Sequence, residues 1–264
     1  YFNHKMTLDM LGINARALPC DPAAGFVPDP ADLEALIDPT VRALVLVSPN
    51  NPTGAIYPAA TIEAFAALCR KHSIALVLDE TYRDFLPASH GAPHALFSDR
   101  DWGGTLIQLY SFSKAYAIPG HRLGAIVAAP AVIGEIAKIL DSVQICPARP
   151  AQRVVAWAID GMRDWREAQR ADLQARAAAC RAAFKPLAGW RLDSVGAYFA
   201  YAAHPFPGLP ARDVARSMAT EFGILGLPGP YFGPGQETHL RLAFANVGSG
   251  VLAGVTARLA DFRK

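Results

Sequence analysis

Four short runs constrain this chain more than anything else in it: ALVLV at 43–47, IALVLD at 74–79, TLIQLY at 105–110 and LGAIVAA at 123–129. Each is almost continuously apolar rather than alternating, the pattern of strands buried on both faces of a sheet. Between the first two, YPAATIEAFAALCRKH places Ile62, Phe65, Ala66 and Cys69 at helical spacing, which makes a βαβ unit. The first half is therefore expected to be α/β with a mostly parallel sheet.

After Pro150 the texture changes. Residues 151–184 are rich in Ala and Arg and read as a long helical region with charge on one side. From Gly189 onward, AYFAYA and HLRLAFA read as short strands, with helices at about 210–222 and 249–262, as in a small α+β domain. The expected division is a large domain over 1–150 and an interdomain helix with a smaller C-terminal domain over 151–264.

Composition excludes several classes. With 264 residues, 52% of them hydrophobic, the chain can bury one large core or two moderate ones. Its 25 basic and 23 acidic residues form no long run of one sign, so no nucleic-acid or anionic-membrane footprint is expected. The apolar stretches fall short of a membrane span, and the start YFNHKM has no signal-peptide pattern. Cys20, Cys69, Cys146 and Cys180 have no CxxC spacing, and the histidines make no metal-binding pattern. The expectation is a cytoplasmic protein whose partners are small molecules or other subunits.

Ligands of open α/β sheets bind outside the carboxyl ends of the strands, where loops and helix N-termini converge. The chemistry of this chain collects at those positions. SPNNPTG follows the first run and carries Asn51; DETY ends the second and carries Asp79 and Tyr82; SFSK follows the third and carries Ser111, Ser113 and Lys114. PGHRLG, just before the fourth, carries Arg122, and Arg241 lies inside the apolar run HLRLAFA, where an unpaired guanidinium would be costly.

In this order, SPNNPTG, DETY, SFSK with PGHRLG, and FGPG followed by HLRLAFA resemble the signature series of class I/II aminotransferases, fold-type I pyridoxal phosphate enzymes. The resemblance implies that Lys114 forms the internal aldimine and that Asp79 pairs with the pyridine nitrogen. Tyr82 and Asn51 match the positions that bond the ring's phenolic oxygen, Ser111 and Arg122 match phosphate contacts with Ser113 beside them, and Arg241 matches the clamp on the substrate α-carboxylate. Tyr1 and His4 match an aromatic stacked on the cofactor ring and a histidine supporting the ring-nitrogen aspartate.

A lysine near a guanidinium in a partly desolvated site is biased toward the neutral, nucleophilic amine, which suits the first of these roles. The implied activity is transfer of an amino group between an α-amino acid and a 2-oxo acid, by a homodimer. A lyase or decarboxylase of the same fold, or the aminotransferase-like effector-binding half of a transcription regulator, shares the motifs. Apolar residues such as Tyr198, Phe199, Tyr231 and Phe232 point to an uncharged substrate side chain. Family members carry a glycine-rich phosphate loop and further strands upstream of the position of Tyr1, so this chain is expected to be part of a longer one.

Overall fold

A computed structural model describes residues 1–262. Its elements in chain order are α1 (Phe2–Met10), α2 (Pro30–Leu36), β1 (Ala43–Val47), α3 (Ala59–Lys71), β2 (Ala75–Asp79), β3 (Leu106–Ser111) and α4 (Phe112–Ala115). There follow β4 (Gly124–Val127), α5 (Pro130–Val143), α6 (Arg149–Gly161), α7 (Arg163–Phe184), β5 (Arg191–Gly196) and β6 (Phe199–Ala203). The chain continues through α8 (Ala211–Phe222), β7 (Leu227–Pro228), β8 (His239–Ala243), α9 (Ser249–Ala253) and α10 (Val255–Ala260). It divides into two compact units. One comprises residues 29–49 and 57–170, and the other residues 1–28, 50–56 and the chain from Ala171 onward. These boundaries differ from the change in texture after Pro150, because the break falls inside α7 and the turn at 50–56 groups with the C-terminal part.

The first unit is built on a sheet of order β1-β2-β3-β4. β1, β2 and β3 run parallel, with Val47 opposite Asp79 and Asp79 opposite Leu109. β4 is antiparallel to β3, pairing Ser111 with Gly124, so its start lies beside the end of β3. The four apolar runs thus form one mostly parallel sheet, as expected.

Burial in that sheet is less even than the runs suggest. Leu76 and Leu78 are fully buried, Val77 and Asp79 between and after them are half-buried, and Ile126 and Val127 of β4 are more than a third exposed. α3 presents Ile62, Phe65, Ala66 and Cys69 as its buried stripe and ends in Arg70 and Lys71, cations that favour a helix C-terminus. α5 and α6 each begin with Pro in the first turn, where the missing N–H costs nothing.

The second unit carries an antiparallel sheet of order β5-β6-β8-β7. Every residue of β6 is buried, with Tyr201 fully so. The Tyr201 ring stacks on His239, whose Nε2 lies 2.9 Å from Asp193 Oδ2, and Phe26 meets both rings edge-on. α8 buries Ala211, Val214, Ala215 and Met218 and is closed by Gly223 in the left-handed conformation. The C-terminal part of α7 buries Leu173, Ala177, Cys180, Ala183 and Phe184 along one stripe.

β5 was not visible in the apolar pattern, because RLDSVG mixes charged and small residues and carries a bulge between Leu192 and Ser194. The helices expected over 151–184 and 249–262 are each interrupted, at Met162 and at Gly254.

Candidate active site

In the first unit, the parallel direction of β1, β2 and β3 sends their exits to one edge of the sheet. Asp79 is the last residue of β2, and its Oδ1 accepts hydrogen bonds from Thr81 N at 3.0 Å and Thr81 Oγ1 at 2.7 Å, which fixes the plane of the carboxylate. The backbones interlock here: Ser48 N donates to Asp79 O at 3.1 Å and Glu80 N to Leu109 O at 2.9 Å. Tyr82, three residues on, is buried.

At the exit of β3, Ser111 caps the short helix α4, its Oγ accepting from Ser113 N at 3.3 Å. α4 carries the buried Ser113 and the half-buried Lys114. Phe112 N donates to Leu123 O at 3.1 Å, which brings the start of β4 alongside. Arg122 stands there in a left-handed conformation, φ 51°, with its guanidinium donating to Pro119 O at 2.6 Å. A non-glycine residue in that conformation is held by its surroundings, a condition often met at functional sites. One sheet edge therefore gathers an amine, a carboxylate, a phenol, two hydroxyls and a guanidinium.

The second unit holds Asn51 and Arg241. The NNPTG turn is closed on itself, with Asn50 N donating to Ala55 O, Gly54 N to Asn50 O, and Thr53 Oγ1 to Asn50 Oδ1. Gly54 has φ +75°, and a Cβ there would lie 2.7 Å from Gly196 N and closer still to Phe199 O, so only glycine fits. The buried Asn51 accepts a 2.8 Å hydrogen bond from Arg241 through its Oδ1. The Arg241 guanidinium carbon lies over the ring of Phe199, 4.6 Å from its centroid, and over that of Phe232, at 4.8 Å. At the N-terminus of α1, Tyr1 and His4 meet edge-on at 5.8 Å, and Phe2 lies against Phe232.

Sequence reasoning passed over two polar clusters in the first unit, one around the buried Glu80 and one around the half-buried Asp84. Glu80 and His94 pair at 3.4 Å, with Gln108 and Arg83 donating to the same carboxylate. Asp84 accepts from Tyr110 Oη at 2.6 Å and from Arg166 at 2.9 Å. Glu80 stood inside DETY and could have been noticed there; Arg166 is 82 positions from Asp84, with no local pattern to connect them. Among the described residues there is no cluster of His, Cys, Asp or Glu able to hold a metal ion, and no helix long and apolar enough to cross a membrane.

The chain resembles known proteins in both sequence and fold. An aromatic aminotransferase of Arabidopsis thaliana is 27% identical over 98% of this chain and 66% of its own length. The arginine–pyruvate transaminase of Pseudomonas aeruginosa is 30% identical over 92% of this chain and 61% of its own. The chain thus spans somewhat less than two thirds of the length of these relatives. Among solved structures, an aspartate aminotransferase mutant of Thermus thermophilus superposes with a TM-score of 0.88 at 27% identity, covering 98% of this chain and 70% of that one. Its fold is that of these enzymes, with one α/β unit on a mostly parallel sheet and another unit on a separate antiparallel sheet. Residues 1–259 match the family described as aminotransferase class I and II, and it is to this family that the chain belongs.

Proposed function

We propose that this protein is a pyridoxal phosphate-dependent aminotransferase that moves an amino group between an α-amino acid and a 2-oxo acid. The observation that carries the reading is the pairing of β2 with β3, which sets the Asp79 carboxylate and the Lys114 helix at adjoining strand exits. Family membership and the names of the relatives support the same chemistry.

The donor set fits the cofactor. An anionic phosphate calls for hydroxyls and a fixed cation, and Ser111, Ser113 and Arg122 offer them. A pyridine nitrogen calls for a carboxylate, and Asp79 is held in a fixed plane by Thr81. Pyridoxal phosphate, when bound, supplies a sink for the negative charge that develops at the substrate Cα.

The remaining roles belong to this chain. Lys114 Nζ would hold the cofactor until the substrate's own amine displaces it, and the freed amine would then take the proton from the substrate Cα as a general base. The motif resemblance implies that Tyr82 and Asn51 would donate to the ring's phenolic oxygen, that Tyr1 would stack on the ring, and that His4 would support Asp79. Arg241 binds the substrate α-carboxylate. Its guanidinium lies over two phenyl rings, and its planar fork suits a bidentate carboxylate. In this reading the enzyme works in the cytoplasm as a homodimer.

The test is transfer of 15N. The protein is incubated with pyridoxal phosphate, a panel of 15N-labelled α-amino acids and an unlabelled 2-oxo acid, and label is sought in the newly formed amino acid. Transfer is expected, with Lys114→Ala abolishing it and Arg241→Gln raising KM about 100-fold, the cost of a lost charge-assisted carboxylate contact. Release of carbon dioxide or pyruvate with no label in the acceptor would instead make the protein a decarboxylase or lyase.

A further inference from the structure

The half-buried polar cluster around Asp84 has no part in the roles above, yet it contacts residues on both sides of the segment that carries Lys114. Tyr110 is the penultimate residue of β3, and its Oη donates to Asp84 Oδ2 at 2.6 Å. Burial first, and then the Asp84 carboxylate, push the Tyr110 phenol far above its ordinary range, so it stays protonated and remains a donor. The other carboxylate oxygen, Oδ1, takes Arg166 NH1 at 2.9 Å, while Arg166 NH2 donates to Ile159 O at 2.8 Å. The same guanidinium lies 5.1 Å from the centroid of Tyr116.

Tyr110 and Tyr116 flank α4 on either side, and Phe112 joins them into a row, with ring centroids 5.0 Å and 5.4 Å from its neighbours. The helix is closed by Tyr116 N donating to Phe112 O at 3.3 Å and by Ala117 N donating to Lys114 O at 3.1 Å. Asp84 itself follows Asp79 and Tyr82 in the segment leaving β2. A four-residue helix has too few internal hydrogen bonds to hold itself, so its orientation comes from what grips its ends. Here both ends lead back to one carboxylate.

We infer that Asp84 is a positioning residue for Lys114: through Tyr110 on one side and through Arg166 and Tyr116 on the other, it locks the Lys114 helix onto the segment that carries Asp79 and Tyr82. This rests on Lys114 being the residue that links to the cofactor. Asp84 touches neither substrate nor cofactor in this role. Its effect is on where the amine stands, and displacements of about 1 Å at a reacting group are enough to cost about 100-fold in rate.

The chain contains its own controls, since Lys5, Lys71, Lys138, Lys185 and Lys264 compete with Lys114 for an aldehyde. The full chain is mixed with limiting pyridoxal phosphate, reduced with borohydride after set times, and the modified lysines are quantified by peptide mapping. This is done for the parent, Asp84→Asn, Asp84→Glu and Tyr110→Phe, each well below its melting temperature. In the parent, the adduct is expected almost wholly on Lys114. In Asp84→Asn the rate at Lys114 relative to the other five lysines should fall about tenfold, with partial recovery in Asp84→Glu.

Tyr110→Phe keeps the ring and loses only the hydrogen bond, so it should show a smaller fall in the same direction and carries the test if Asp84→Asn does not fold. Variants that melt earlier but retain the parent's selectivity would overturn the positioning role and leave Lys114's role standing. A parent with no preference for Lys114 would overturn both.

Discussion

Gly54→Ala adds one methyl group where the backbone leaves no room for it. The residue must hold φ near +75°, which costs an L-amino acid about 1–2 kcal/mol. Its Cβ would also lie 2.7 Å from Gly196 N and 2.9 Å from Gly196 O, with Phe199 O nearer still. These are backbone atoms at the junction of β5 and β6, and Gly196 and Phe199 are both buried, so they cannot swing aside as a side chain tip would. Overpacking of this kind costs about 1–3 kcal/mol.

Together the two contributions come to about 3 kcal/mol, or a fall of about 6–12 °C in melting temperature for a protein of this size. The same substitution at Gly208 separates them. Gly208 has φ +72° but nothing within 4 Å of its would-be Cβ, so Gly208→Ala should lose only the conformational part. Thermal melts followed by circular dichroism, with calorimetry for confirmation, give both shifts. Because Asn51 sits three residues before Gly54 in the same turn, Gly54→Ala should also weaken binding of carboxylate ligands at Arg241, while Gly208→Ala should not. Equal melting temperatures for the two variants would refute the argument that the collision, rather than φ alone, demands glycine here.

Other consequences are equally concrete. Leu78→Ala removes a fully buried side chain from the centre of the parallel sheet and should cost about 2–5 kcal/mol in urea unfolding, far more than Val251→Ala, which starts from an exposed position. Burial pushes the His204 imidazole below its ordinary value, so the folded chain binds fewer protons than the unfolded one as pH falls. That contribution is present above about pH 6.5 and is lost on acidification below it; His204→Phe, which keeps an aromatic ring against Phe206, should flatten the urea midpoint between pH 7 and 5. Cys180 is pushed up to about 11 and Cys69 to about 12 by burial, while Cys20 and Cys146 are exposed. A thiol reagent at pH 8 should therefore label two cysteines in the folded protein and all four in denaturant, as mass spectrometry would count.

What was legible in the sequence follows from how locally each feature is encoded. β1 to β4 could be read because each is a short, nearly continuous apolar run, and the residues at their exits because turn and motif residues sit within a few positions of those runs. β5 could not, since its stability comes from pairing with β6 and its own residues are mixed. The contact between Asn51 and Arg241 joins residues 190 positions apart. The motifs named both residues, but only the fold shows that the guanidinium lies over the rings of Phe199 and Phe232. Asp84 and Arg166 lay outside every motif, and nothing in either neighbourhood signals the other. Pattern reading finds groups that share a strand end; it does not find partners brought together by the path of the chain.

That path has a practical consequence for anyone who would take the protein apart. The polypeptide passes between its two units four times, at residues 28/29, 49/50, 56/57 and 170/171. Neither unit is a contiguous stretch of gene, so no single truncation delivers either one whole. A chimaera that exchanged the C-terminal part with a relative's would have to bring along the seven-residue insert at 50–56, or Arg241 would face a foreign turn in place of the one that presents Asn51.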